Sequence, residues 1–256
     1  MKDTFLFCGT GAADYVTPEP GQEFRKYTHS LLNDSILLDI GSMTYKFEPD
    51  EVLTARFSRV RHVLITHTHS DHFSRDALLR LAQDNDSITV YLDASCTDMV
   101  PEHPAITVYP VSNGEMLSFD GYTVHVFSSN HLTERANERT HHYVIDTPSG
   151  KSIFYGLDGA WLRTDEAKYL MQHPVDLMIL DATSAVSNDF RTFEHNTLDM
   201  LKLMIPVLHA NGMLKPEGKI YADHLAKTLH PAHNAAAIAF SEIGMQTAYD
   251  GLCIEF

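Results

Sequence analysis

Between positions 67 and 72 the chain reads His-Thr-His-Ser-Asp-His, directly after the apolar run Val63-Leu64-Ile65 and Thr66. No other feature narrows the possible folds as much. Three imidazoles and a carboxylate within six residues are side chains that bind transition metals, and a solvated loop has no use for so many. By residue frequencies, this arrangement arises by chance in roughly one chain in 200 of the same composition. The run therefore predicts a metal loop at the C-terminal end of a buried strand, leading into a helix. In an extended segment alternate residues point the same way, so His67, His69 and Asp71 are expected to converge while His72 reaches another position.

A pair of divalent ions takes about six to eight ligands, more than this run supplies. Further donors follow short apolar strands elsewhere: His131 in Ser128-Ser129-Asn130-His131, Asp158 in Gly156-Leu157-Asp158-Gly159, and His224 after residues 219–222. Loops at one end of a sheet would bring them together. Strands are expected at 4–8, 35–39, 63–65, 88–92, 106–110, 122–127, 141–146, 152–156, 175–180 and 219–222. Helices are expected at 50–59, from the capping Ser74 to 83, at 196–209 before Asn211-Gly212, and at 232–242. Residues 15–26 read as a polar loop. With no linker or repeat, one α/β domain spanning 1–256, with two sheets between outer helices, accommodates this order.

The formal charge of −15 is spread over a chain with only 19 scattered Lys and Arg, which excludes a long nucleic-acid track as the expected partner. A small phosphorylated substrate drawn in by metal ions is compatible with it. Cys8, Cys96 and Cys253 are odd in number and far apart, so neither a disulfide framework nor a thiolate zinc site is expected, and the reducing cytoplasm is the expected location. Residues 1–13 lack the pattern of a signal peptide and no apolar run reaches the roughly 18 residues of a membrane helix, so no membrane partner is expected.

Through these residues the chain resembles the metallo-β-lactamase superfamily of hydrolases. Leu38-Asp39-Ile40-Gly41 matches its early structural Asp motif, and His67 to His72, His131, Asp158 and His224 match its metal positions. Within the superfamily it is most similar to the cyclic-phosphate phosphodiesterases of the carbon-phosphorus lyase pathway. That similarity rests on Gly9-Thr10-Gly11, the segment Asp176 to Ser184, Glu194-His195-Asn196 and Asp223-His224. The resemblance implies a four-layer αβ/βα sandwich with two divalent transition-metal ions, zinc or manganese, with iron also suited to such donors. It assigns one ion to His67, His69 and His131, the other to Asp71, His72 and His224, and Asp158 as the bridge. Those phosphodiesterases also carry a cysteine-rich loop near their start and a His three residues after the last metal His. Here residues 12–28 hold no Cys and Lys227 stands at the later position, so their structural zinc is not expected.

In such a centre a metal-activated water is the nucleophile, and no Ser or Cys is required. Asp71 is expected both to bind metal and to orient the attacking oxygen. His195, at the start of a helix, is the candidate proton donor to the leaving oxygen, or else a binder of a phosphate oxygen. Asp39 and Asp181 are candidate acceptors for imidazole N–H groups. His125 reads as packed or exposed, His29, His141 and His142 as bordering the pocket, and His230 and His233 as turn residues. The leading expectation is a phosphodiesterase acting on a small, cyclic or open, phosphate ester. A lactonase or thioesterase could use the same centre, and a non-enzymatic metal or ligand sensor could keep the scaffold. A homodimer is left open.

Overall fold

A computed structural model of the protein describes residues 2–14, 23–186 and 190–256; residues 15–22 of the expected polar loop lie outside the described residues. Among the described residues, the apolar runs form two seven-stranded sheets. The first contains β1 (Thr4–Gly9), β2 (His29–Leu32), β3 (Ile36–Leu38), β4 (His62–Leu64), β5 (Ile88–Asp93) and β6 (Ile106–Val111) in sequence order. The second runs from β7 (Met116–Phe119) through β8 (Tyr122–Ser128), β9 (His141–Asp146), β10 (Ser152–Gly156), β11 (Val175–Asp181) and β12 (Leu214–Asp223) to β13 (Gln246–Thr247). The last strand, β14 (Cys253–Glu255), returns to pair with β1 at the edge of the first sheet.

Strands β3 to β6 are parallel, as are β10 to β13, while β7 to β10 pair antiparallel. Parallel strands are covered on both faces, which is why β3 and β4 are buried along their whole length. By contrast, β8 alternates buried with half-buried residues.

Among the described residues, five α-helices supply the outer cover: α1 (Asp50–Phe57), α2 (Arg75–Asp84), α3 (Thr164–Gln172), α4 (Leu198–Ala210) and α5 (His233–Ser241). Phe5, Phe7, Leu38, Tyr143, Tyr155 and Leu177 fill the space between the sheets. Leu53, Phe57, Leu78 and Leu81 of α1 and α2 pack on Val63 and Val90 behind the first sheet. Leu170, Leu201, Leu208 and Phe240 of α3, α4 and α5 pack on Phe154 and Met178 behind the second. The layers are thus αβ/βα, and each such side chain removed from water contributes about 1.5–3 kcal/mol. Among the described helices, none is long and apolar enough to cross a membrane.

Local chemistry sets the helix starts. Ser74 Oγ accepts from Ala77 N at 3.3 Å, and Ala77, Leu78 and Leu81 fall on the buried face of α2. Thr197 caps α4 through Met200 N, so that helix starts at Leu198 rather than 196, and it ends before Gly212 at φ +64°. Strands β2, β7, β13 and β14 and helix α3 were not expected. The strands have two to four residues, too few for periodicity to show, and α3 buries only Glu166 and Leu170.

At one end the sheets are tied together. Tyr143 Oη in β9 donates to the Ile65 carbonyl at 2.5 Å, and His141 N donates to the Thr66 carbonyl at 2.9 Å. Both bonds hold the chain just ahead of His67. Tyr143→Phe removes one donor from this buried carbonyl and is expected to cost about 1–2 kcal/mol in urea denaturation, against a value near zero if the tie carries no load.

Candidate metal centre

The centre is built on the ends of β4, β8, β10 and β12. After β4, Thr66 anchors the chain: its N donates to Asp39 Oδ1 at 2.7 Å and its hydroxyl bonds the same carboxylate. The chain then turns, with His72 N and Phe73 N both donating to the His69 carbonyl at 2.9 and 2.8 Å. This turn corrects the expectation from strand alternation, because it swings Asp71 away from His67 and His69 and toward the side where His72 lies.

Ile40 N donates to the His72 carbonyl and Ser42 N to the Ser70 carbonyl, so the Asp39 to Ser42 segment cradles the run from below. Gly41 permits that approach. A Cβ there would lie 1.8 Å from the Asp71 carbonyl oxygen, a backbone atom that cannot simply rotate aside. Gly41→Ala is expected to destabilise the fold by about 3 kcal/mol in chemical denaturation and to lower bound metal; wild-type values for both would contradict this account of the cradle.

The donors fall into two groups. His67 Nε2 and His131 Nε2 stand 2.9 and 3.1 Å from His69 Nδ1, and the three side chains could share one ion. On the other side His72 Nε2 and His224 Nε2 are 3.2 Å apart, with Asp71 Oδ2 at 3.4 Å from the first and 3.5 Å from the second. Asp158 lies between the groups. Its Oδ2 is 2.8 Å from His72 Nε2 and 3.3 Å from His224 Nε2, while Oδ1 is 3.9 Å from His131 Nε2. The seven side chains expected to bind metal therefore meet in one place.

Charge follows the same division. Burial, with the neighbouring His72, holds His67 well below the ordinary imidazole value, and burial takes His131 down to about 4. These imidazoles are neutral, with lone pairs free to bind a cation. Burial also opposes charge on His72 and His224, but Asp158 and its fellow carboxylates raise His72 well above the usual value and His224 to about 10. Burial works against the charge on Asp158 as well, yet His224 and His72 keep it ionised, well below the usual carboxylate range. In the second group the carboxylates thus hold protons on both imidazoles, at the nitrogens for which a divalent cation would compete. His131 Nδ1 and Asp158 Oδ2 are buried without an aligned hydrogen bond, and the donor set as a whole is the N and O type that divalent transition metals take.

The far nitrogens of the imidazoles meet other oxygens. Asp39 Oδ2 lies 2.9 Å from His72 Nδ1, as its candidate role required. Asp181 Oδ2 lies 2.8 Å from His195 Nδ1 and 3.6 Å from His224 Nδ1. Sequence reading missed Thr66, whose hydroxyl is 3.0 Å from His67 Nδ1, and Thr183, whose hydroxyl is 2.8 Å from His224 Nδ1. It also missed Glu138, which accepts from Thr68 N and Oγ1 at 2.7 Å, and the carboxylates of Glu134 and Glu194, 3.3 Å from His69 Nε2 and 3.5 Å from His131 Nδ1. The only advance signal was that Thr66 and Thr183 each stand just past a strand end.

His195 borders the same cleft, which encloses about 400 Å³, and its ring stacks on His224 at 5.5 Å. His141 and His142 are buried beside the centre, whereas His29, His125, His230 and His233 take no part in it. His230 Nε2 donates to the Ala182 carbonyl, and His233 Nδ1 lies 2.8 Å from Arg25.

Fold and donor set together define a metallo-β-lactamase-type sandwich with candidate metal-ligand clusters at its strand ends. Residues 36–233 match the family described as the Beta-lactamase superfamily domain, and the chain belongs to it. Among solved structures it is similar to the metallo-beta-lactamase fold protein YhfI from Bacillus subtilis, with a TM-score of 0.74 and 12% identity over the whole of both chains. A possible metal-dependent hydrolase from Veillonella parvula aligns with all of this chain and 99% of its own, at 15% identity and a TM-score of 0.65. Unliganded yeast PDE1 aligns over the whole of both chains at 10% identity and a TM-score of 0.68. At these identities the likeness is one of fold. No curated protein sequence matches the chain.

Proposed function

We propose that the protein is a hydrolase dependent on two divalent metal ions and acting on a small phosphodiester, cyclic esters included. The observation that carries this reading is the position of Asp158 between two groups of donors beside an open cleft. His67, His69 and His131 would hold one ion and Asp71, His72 and His224 the other, with Asp158 reaching both. Zinc, manganese and iron all suit these donors. When bound, the pair would lower the pKa of water toward neutrality and offset negative charge on the ester oxygens.

The chain's own groups do the rest. Asp71 lines the cleft and can orient the attacking water. His195 has its Nδ1 engaged by Asp181, which leaves Nε2 to carry the proton that a departing alkoxide needs. Glu134 and Glu194 also line the cleft, and their charge favours a monoanionic diester over a dianionic monoester. The resemblance to cyclic-phosphate phosphodiesterases read from the sequence points to the same substrate class, and Thr183, Glu194, His195 and His224, which lie in or beside the segments that carry it, all border this cleft. The excess of acidic residues argues against long nucleic acid, and three free cysteines fit a reducing cytoplasm.

With both ions bound, bis(p-nitrophenyl) phosphate is expected to be hydrolysed at least about tenfold faster than p-nitrophenyl phosphate, and chelation to stop both. Protein that holds two ions yet hydrolyses no phosphodiester would reject the proposal. His195→Ala should keep its metal and lose about 100-fold in kcat on esters with alkoxide leaving groups, with a smaller loss for p-nitrophenolate; equal, unchanged rates on both would remove His195 from the mechanism.

A further inference from the structure

Asp158 reaches its place through a turn that the backbone of an ordinary residue disfavours, with φ at +54°. Three side chains from the β8 and β9 side grip that turn. Ser129 Oγ donates to the Asp158 carbonyl at 2.8 Å. Asn130 holds Ala160 twice, giving a hydrogen bond to its carbonyl at 2.6 Å and accepting one from its N at 2.7 Å. The third is His142 in β9, whose Nε2 lies 3.0 Å from the Leu157 carbonyl.

The hydrogen-bond arithmetic at His142 is restrictive. A carbonyl only accepts, so Nε2 must carry the hydrogen. Nδ1 lies 2.6 Å from Glu166 Oε1, and the other oxygen of Glu166 accepts from Arg163 N at 2.7 Å at the start of α3. His142 and Glu166 are both buried, so the ring is locked at each nitrogen by a partner that cannot drift into solvent. Gly159 leaves room for it: a Cβ there would be 2.7 Å from His142 Cε1 and 2.8 Å from Nε2.

We propose that His142, oriented by Glu166, is a positioning residue that fixes the turn carrying Asp158 and so sets its carboxylate between the two groups of imidazoles. This rests on the reading of Asp158 as the shared metal ligand. An apolar side chain would fill the same space without the cost of burying a polar pair. What the imidazole adds is an N–H aimed at Leu157 and a second nitrogen that stops the ring from turning. A carboxylate that serves two ions needs such support, because a functional group held even 1 Å loosely fails in its role.

The test is a competition titration of zinc against a chromogenic chelator, with circular dichroism on each variant. Wild-type protein is expected to bind two ions. His142→Phe keeps the ring volume without the donors and should weaken binding about 10- to 100-fold, whereas His142→Gln, whose amide N–H can reach the Leu157 carbonyl, should recover to within about threefold of wild type. Gly159→Ala crowds the ring from the other side and should weaken binding as well. A folded His142→Phe with wild-type affinity would overturn the proposal, as would a folded His142→Gln no better than His142→Phe. Should His142→Phe not fold, Gly159→Ala decides, and wild-type affinity there counts against it. Wild-type protein that binds no zinc would instead remove the reading of Asp158 itself.

Discussion

Two oxygens of one buried carboxylate face two different groups of imidazoles, and the rest of the site is arranged around that fact. Asp158 turns Oδ2 toward His72 and His224 and Oδ1 toward His131 and His195. A carboxylate taken out of water would give up its charge if nothing offset it. Here the charged imidazoles of His72 and His224 keep it ionised, and divalent cations that displaced their protons would offset the same charge. The two-sheet architecture makes this possible by bringing the ends of β4 and of β8, β10 and β12 to one edge of the sandwich.

Rigidity around the donors comes from oxygens behind them. Asp39 backs His72, Thr66 backs His67 and Thr183 backs His224. Such contacts fix the tautomer and rotation of each ring. The cost appears in the backbone, where Asp39, Asp158 and His224 all have φ between +54° and +62°, a region that costs of order 1–3 kcal/mol for a residue other than glycine. The dense bonding around each one is what holds it there.

The clustering was readable in the sequence because imidazole and carboxylate side chains of this kind are chemically distinctive and were concentrated. His67 to His72 announced the loop, and His131, Asp158 and His224 stood out as donors just past apolar strands. The αβ/βα layering followed from the resemblance and agrees with the order of long apolar runs. Other features had no local signal. Glu138 bonds Thr68 across seventy positions, Tyr143 bonds Ile65 across seventy-eight, and neither pairing leaves a pattern in the chain. The division of the run between the two groups also escaped spacing, since the His69 turn replaces the extended geometry that alternation assumes. Glu166 looked like an ordinary acidic residue in a short helix until the fold placed it, fully buried, against His142.

Anomalous diffraction at the absorption edge of the bound metal, recorded on crystals of the protein as purified, addresses the central claim most directly. Two peaks should appear, one among His67, His69 and His131 and one among Asp71, His72 and His224, with Asp158 contacting both. No peak, or peaks remote from Asp158, would contradict the account.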